Sequence, residues 1–475
     1  MNSRNSIYKL SVKGVFLLQS LAIFLLGSCS RIDHKQSALD PKGLVSQNQY
    51  DIFMLSVWIT IFLFCAVGGC LLYVLWKYRA KSQKEAMEVP EQMHGNSKVE
   101  TTLIIVSAVI LVILAVPTLQ GVVLMNRVPD PNDQATLDKL KLDKSQIEDA
   151  ITVNVTGKRF FWVFEYPQFG IVTANELVFP ASKAVRVNLR TEDVIHSFWL
   201  PKLAGKMDLM PGQENFMWFI ADQNKIRQRI DADGNPYEED VKTAMPSVFD
   251  GKMRQAIFKK QAFTDEFEPV GGLFYGQCAE YCGNSHAYMS FRALAQTDDD
   301  FDKWVLKFRN AQNTNLKPKQ YAPEKEYEKG DIVLFPDTNL EENASREYRA
   351  VSAAVKGQSP DTQPDLWEKA HPDDYERGKR LFSSLQCVQC PAINDTGLGQ
   401  KGPNLTLFGL RTSLAAGWMR NDEKSLDKWL RNSNDVKFGN LMWNGEGVDD
   451  RHPLRKLEDD DEKVSQLVTY LLGLK

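Results

Sequence analysis

The chain has 475 residues, enough for two or three domains that each bury a core of their own. Its 57 Lys and Arg nearly balance 61 Asp and Glu, and a net charge of -4 gives no basis for a nucleic-acid partner. The 7 cysteines are informative by position: Cys29 alone, Cys65 and Cys70 in an apolar run, Cys278 with Cys282, and Cys387 with Cys390.

Arg4, Lys9 and Lys13 precede an apolar stretch from Val15 to Leu26, followed by LGSC. A basic start and a short apolar core predict a signal peptide over residues 1–28. Gly27 and Ser28 directly before a cysteine resemble the lipobox of bacterial lipoproteins, which implies lipidation of Cys29. The alternative is an uncleaved anchor with a chance cysteine. Two longer uncharged segments, 52–76 and 101–125, each exceed the ~20 residues that cross a ~30 Å hydrocarbon layer. They predict a two-helix transmembrane hairpin over 45–127, with Cys65 and Cys70 as packing residues. The loop between them carries Lys77, Arg79, Lys81, Lys84 and Lys98, which places it in the cytoplasm and everything after Met125 on the far side.

Beyond a polar connector, apolar residues alternate: Ile151, Val153 and Val155, then Val185, Val187 and Leu189. With turn signals such as YPQFG and MPGQEN, the pattern predicts an antiparallel β-sandwich or barrel. DDFDKWVLKFRN at 299–310 reads as a helix with Phe301, Trp304, Val305 and Phe308 on one face. Within the β region lies YGQCAEYCGNSHAYM, which sets Cys278, Cys282, His286 and Met289 close together. His196 in VIHSFWLP stands far upstream on what reads as a different strand. Thiolates with imidazoles suit copper, zinc or iron, and a thioether favours copper. Two thiolates, two imidazoles and a thioether exceed the needs of one tetrahedral zinc and suit two copper ions sharing both sulfurs. A Cys278–Cys282 disulfide, or a structural zinc with His196 and His286, are the competing readings.

The segment resembles the binuclear copper centre (Cu-A) of subunit II of haem–copper cytochrome c oxidases. The resemblance implies Cys278 and Cys282 as bridging thiolates, His196 with Met289 at one copper, and His286 with the Glu280 backbone carbonyl at the other. It further implies that the Glu280 side chain reaches a magnesium ion at the interface with subunit I. KMDLMPGQEN (206–215), WKYR (76–79) and HGNSKVE ending in Glu100 match the same family, and Glu100 matches a glutamate near the mouth of the partner's proton channel. The likeness spans roughly residues 45–312 and implies a cupredoxin-like domain over 148–312. Related quinol oxidase subunits lack these cysteines, so the donor implied is cytochrome c. Nitrous oxide reductases share the copper motif but carry a large β-propeller that this chain lacks. Two departures stand out. Phe160 occupies the position of the tryptophan through which electrons usually come in, with Trp162 two residues on. An insert over 222–268 contains no Cys or His, and its DADGNP reads as a turn with a weak resemblance to a calcium loop.

Residues 313–369 are rich in Lys, Glu, Pro, Asn and Ser and predict a linker. Residues 370–475 then read as a compact helical unit. ERGKRLFSSLQC, CVQCP, GQKGPNL, KFGNLMWNG and a closing helix resemble, in order and spacing, the all-α cytochrome c domain fused to some bacterial subunits II. The resemblance implies haem c thioethers at Cys387 and Cys390 and an axial Met442, but Pro391 stands where the proximal histidine belongs. His371 and His452, the only histidines nearby, read as solvated loop residues and not as replacement ligands. A disulfide between Cys387 and Cys390 with thioredoxin-like chemistry is the alternative there. The whole reading is a membrane-anchored, multidomain subunit of a proton-pumping terminal oxidase in a bacterial inner membrane. Its expected partners are subunit I, other oxidase subunits, a cytochrome c and lipid; a copper-delivery lipoprotein is the rival.

Overall fold

The computed structural model describes residues 36–87, 89, 95–226, 272–312, 318–337, 345–353, 356–394, 401–444 and 457–475. The signal segment, Cys29, DADGNP with most of the 222–268 insert, and His452 lie outside the described residues.

Helices α1 (Leu44–Lys77) and α2 (Ser97–Met125) form the apolar pair, and both are long enough to cross a membrane. Their side chains point outward, with Trp58, Phe64 and Leu103 exposed, as a lipid environment requires. Cys65 and Cys70 are both exposed on α1, where a lipid environment would surround them. Asn96 caps α2 by accepting from the N–H groups of Lys98 and Val99. At the opposite end the Trp218 indole N–H donates to the Leu124 carbonyl at 2.9 Å, and Val45, Leu137, Ile147 and Trp218 share one apolar cluster. The hairpin and the β domain are therefore packed onto each other and not merely joined by a strand of chain.

Ten strands build that domain: β1 (Ile151–Lys158), β2 (Phe161–Tyr166), β3 (Ile171–Ala174), β4 (Glu176–Pro180), β5 (Val185–Thr191), β6 (His196–Trp199), β7 (Lys206–Leu209), β8 (Asn215–Phe219), β9 (Leu273–Cys278) and β10 (Ser290–Gln296). They form two five-stranded sheets, β3-β2-β1-β5-β8 and β4-β10-β9-β6-β7. Alternation puts Val153 and Val155 of β1 and Val187 and Leu189 of β5 wholly inside, the period-2 outcome of a sheet with one buried face. Trp162, Phe164, Phe198 and Phe291 meet between the sheets, mostly edge to face, with Phe198 and Phe291 stacked at 4.5 Å. Most neighbours are antiparallel as expected. β1–β5 and β4–β10 pair parallel, because long crossovers bring strands distant in sequence together in the same direction. Helix α3 (Asp298–Gln312) closes one end, burying Phe301, Trp304, Val305 and Phe308 as its 3.6-residue period predicts.

The composition of 313–369 predicts a linker, but 319–369 holds a four-stranded sheet: β11 (Lys319–Gln320), β12 (Ile332–Pro336), β13 (Ser345–Ala350) and β14 (Trp367–Lys369). Few apolar residues suffice because the aromatic ones cluster, with Tyr321, Tyr327 and Trp367 ring to ring over Val333 and Ala350. Charge then locks the sheet to the C-terminal helical unit. Glu347 of β13 accepts from Lys379 Nζ at 2.9 Å and lies 3.4 Å from His371 Nε2, while the buried Arg346 pairs with Asp337 and Asp373. Burial opposes the Glu347 charge, but His371 and Lys379 outweigh it and hold the carboxyl down at about 2. A pKa depressed on folding contributes stability above its ordinary value near 4.5, lost as pH falls towards 2. Glu347→Gln is thus expected to remove about 2–3 kcal/mol of neutral-pH stability and to flatten the acid limb of a melting-temperature profile between those values.

The last unit comprises α4 (Asp373–Ser384), a β15–β16 ribbon (Ser413–Leu414 with Met419–Arg420), α5 (Glu423–Arg431) and α6 (Asp461–Leu472). Among the described residues its regular elements are helices apart from the ribbon. α4 crosses α6 at Gly378, where a Cβ would lie 2.0 Å from the Gln466 carbonyl oxygen, so only glycine allows this approach. The core joins Tyr375, Phe382, Leu426, Leu457, Leu467 and Leu471, with Cys387, Val388, Leu405 and Met442 at its border.

Candidate metal centre

Pairing of β6 with β9 sets Phe198 opposite Cys278 and so carries His196, at the start of β6, to the end of β9. After Cys278 the chain folds back through a single 3-10 turn, His286–Tyr288, and the Cys278 N–H donates to the Met289 carbonyl at 2.9 Å. That closure brings together the donors that the sequence scatters. Cys278 Sγ stands 3.9 Å from Cys282 Sγ, 3.9 Å from His196 Nδ1 and 3.2 Å from the Glu280 carbonyl oxygen. Cys282 Sγ stands 3.6 Å from His286 Nδ1 and 3.8 Å from Met289 Sδ. The donors thus fall into two groups, one around each sulfur: His196 shares Cys278 with the Glu280 carbonyl and His286 shares Cys282 with Met289, whereas the resemblance implies the opposite pairing of imidazoles with weak donors. Both cysteines are free, and their sulfurs lie well beyond the ~2.05 Å of a disulfide. His196, Cys278 and Cys282 are buried, with ligand atoms within 4.8 Å of one another, whereas the Glu280 side chain is exposed.

The electrostatics favour a thiolate at the centre. The Cys282 thiol, directed at Cys278, together with His196 outweighs burial and holds Cys278 down at about 4; the same contact, then burial, pushes Cys282 up. Burial works against a charged His196, but Asp193 and Cys278 raise it overall. Asp193 escaped the sequence reading. Its Oδ1 lies 2.8 Å from His196 Nε2, leaving Nδ1 free towards the sulfurs, and an acid three residues before a candidate ligand histidine was the available signal. A carboxylate behind a ligating imidazole fixes its tautomer and raises its basicity. Asp193→Asn is expected to weaken copper binding ~10–100-fold, read by competition with a chelator of known affinity.

Trp162 is wholly buried, its indole N–H 3.4 Å from the Met289 carbonyl and its ring edge-on to His196. Phe160 lies against Gly283 and is covered: Lys437 Nζ donates to the Phe160 carbonyl at 2.6 Å. Burial pushes the Lys437 ammonium down to about 7 against the pull of the Cys282 sulfur. Glu100 sits exposed in the first turn of α2, away from the donor cluster. In the last unit, burial pushes the Cys387 thiol up to about 12, Cys390 is exposed and Pro391 half-buried. His371 is stacked on Tyr375 at 4.0 Å and engaged with Glu347.

Residues 41–120 match the transmembrane domain of cytochrome c oxidase subunit II, and residues 170–228 match its periplasmic domain. The chain resembles the cytochrome c oxidase subunit II family. It is 27% identical to cytochrome c oxidase subunit 2 of Alkalihalophilus pseudofirmus over 96% of either chain. It is 28% identical to the subunit of Bacillus sp. (strain PS3) over 97% of either chain. The periplasmic domain of subunit II (CoxB) of Bradyrhizobium japonicum aligns in structure at 26% identity and a TM-score of 0.23, covering 33% of this chain and 91% of that one. The chain is thus similar to proteins named as subunits of an oxidoreductase. It is anchored by two helices, with a copper-type periplasmic domain beyond them. The periplasmic match ends at 228, inside the long insert that separates β8 from the cysteine strand β9.

Proposed function

We propose that the protein accepts electrons from a cytochrome c at a Cu-A centre and passes them to subunit I, where oxygen is reduced with proton pumping, in a bacterial inner membrane. The observation that carries this reading is the split donor set, two sulfurs each with its own imidazole and its own weak donor. Such a set fits two coppers and is too rich for one zinc. Cys278, Cys282, His196, His286, Met289 and the Glu280 carbonyl would hold the metal, which when bound supplies one-electron relay with charge spread over both sulfurs. The chain's own part is to exclude water, through the buried Phe198, Phe291 and Trp162, and to hold both imidazoles in place. The exposed Glu280 carboxylate is free for a magnesium ion at the subunit I face, and Glu100 for the mouth of its proton channel. Copper analysis and electron paramagnetic resonance of the purified full chain test the reading. A hyperfine pattern from one electron shared by two copper nuclei supports it, and a single-copper or zinc-only protein sinks it.

A further inference from the structure

The last unit is seated on the copper-ligand loop. Ser285 Oγ donates to the Phe438 carbonyl, Trp418 meets Tyr288 edge to face at 4.7 Å, and Lys437 covers Phe160. At Gly439, with φ of +76°, a Cβ would come 2.4 Å from Asn284 Cβ, so the glycine backbone lies directly against the Asn284 side chain. Leu407 crosses over to join the core of the β domain, with Leu410 packed against it.

The most heavily bonded group in this contact is a single carboxylate. Glu176 of β4, 5% exposed, directs Oε1 at four donors of the β15 edge: Thr412 N–H at 2.8 Å, Thr412 Oγ1 at 2.6 Å, Ser413 N–H at 2.9 Å and Ser413 Oγ at 3.1 Å. The buried Arg411 reaches Thr173 beside it at 3.5 Å, and the buried Arg292 adds a second positive charge. Charge-assisted bonds in a desolvated site are the strong ones, and each donor left without its acceptor on separation is costly.

We propose that residues 411–439 form a cap, clasped by Glu176, that denies a soluble donor protein direct contact with Phe160 and the loop from Gly283 to Phe291. Without a histidine at Pro391 the cap resembles a carrier domain whose place over the copper loop is kept. The proposal rests on the Cu-A reading above. The cap is thus the partner of the donor-facing surface, and a donor must either displace it or approach by another face.

The test uses the copper-loaded full chain and two variants that cut the clasp from opposite sides, Glu176→Ala and the double change Thr412→Ala with Ser413→Ala. Hydrogen exchange of residues 283–291 and the rate of copper reduction by soluble cytochrome c are both measured. Loss of the buried acceptor is expected to speed exchange in that loop about 10- to 100-fold and to raise the reduction rate in the same order of variants. Unchanged exchange in both variants overturns the clasp. Faster exchange with unchanged or slower reduction overturns the cap and makes the unit a donor platform instead. A chain that shows no two-copper signal refutes the Cu-A reading, and the exchange rates of the metal-free chain still decide whether the clasp exists. Should one variant fail to fold, shown by loss of its thermal transition, the other decides.

Discussion

Cys282→Ser is expected to abolish the shared-electron copper signal and to cut turnover with soluble cytochrome c by more than about 100-fold, beyond the ~10–100-fold that loss of an outer-shell partner causes. The reason lies in how the donors are divided. Cys282 Sγ is the atom that stands 3.6 Å from His286 Nδ1 and 3.8 Å from Met289 Sδ, while His196 and the Glu280 carbonyl gather at Cys278. A serine is close to cysteine in volume, so the buried position keeps its packing. Its hydroxyl is a hard donor that remains protonated, and a soft metal loses both the bridge and the half-site behind it. The protein should fold, retain at most one copper and show a single-nucleus hyperfine pattern. A variant that keeps the shared-electron signal would show that the second sulfur is dispensable and that the two-group geometry does not define the site. Elemental analysis alongside the spectrum separates loss of metal from loss of coupling.

Much of this site was legible because its chemistry is compact in sequence. Cys278, Glu280, Cys282, His286 and Met289 fall within one turn-rich loop, and only His196 had to be matched across strands. The alternation of β1 and β5 and the apolar face of α3 likewise survive into the fold, since burial on one side leaves a periodic trace. Three features left no such trace. The sheet over 319–369 is held by ring contacts among Tyr321, Tyr327 and Trp367 and by the buried pair of Arg346 with Asp337, within a composition that is polar on average. Asp193 matters only through its placement behind His196. The Glu176 clasp joins residues 236 and 237 positions apart, and nothing about a glutamate on a strand announces a partner at that range. Long-range polar contacts carry no period, so the pattern that reveals a core cannot reveal them.

Pro391→His is expected to turn a unit that carries no covalent haem into one that does. The full chain is to be exported alongside c-type maturation machinery and read by haem-stained gel and pyridine haemochrome. Cys387 borders the apolar core with Val388, Leu405 and Met442, and Cys390 is exposed one residue before Pro391. The Cys390 carbonyl accepts from the Gly402 N–H at 2.8 Å, which ties the cysteine segment to the GPNL turn. What Pro391 lacks is a side-chain nitrogen, and no other histidine substitutes among the described residues, since His371 is held by Glu347 and Tyr375. Restoring imidazole supplies the His/Met pair that raises a haem potential into the range for electron transfer. Haem bound covalently by the unaltered chain would refute the expectation and require an unrecognised ligand. A histidine variant that stays colourless would show that the core has closed over the former haem space. Gain of haem by the variant alone would mean that one side chain separates a cap, held by the contacts of Ser285, Asn284 and Tyr288 with residues 418–439, from a carrier.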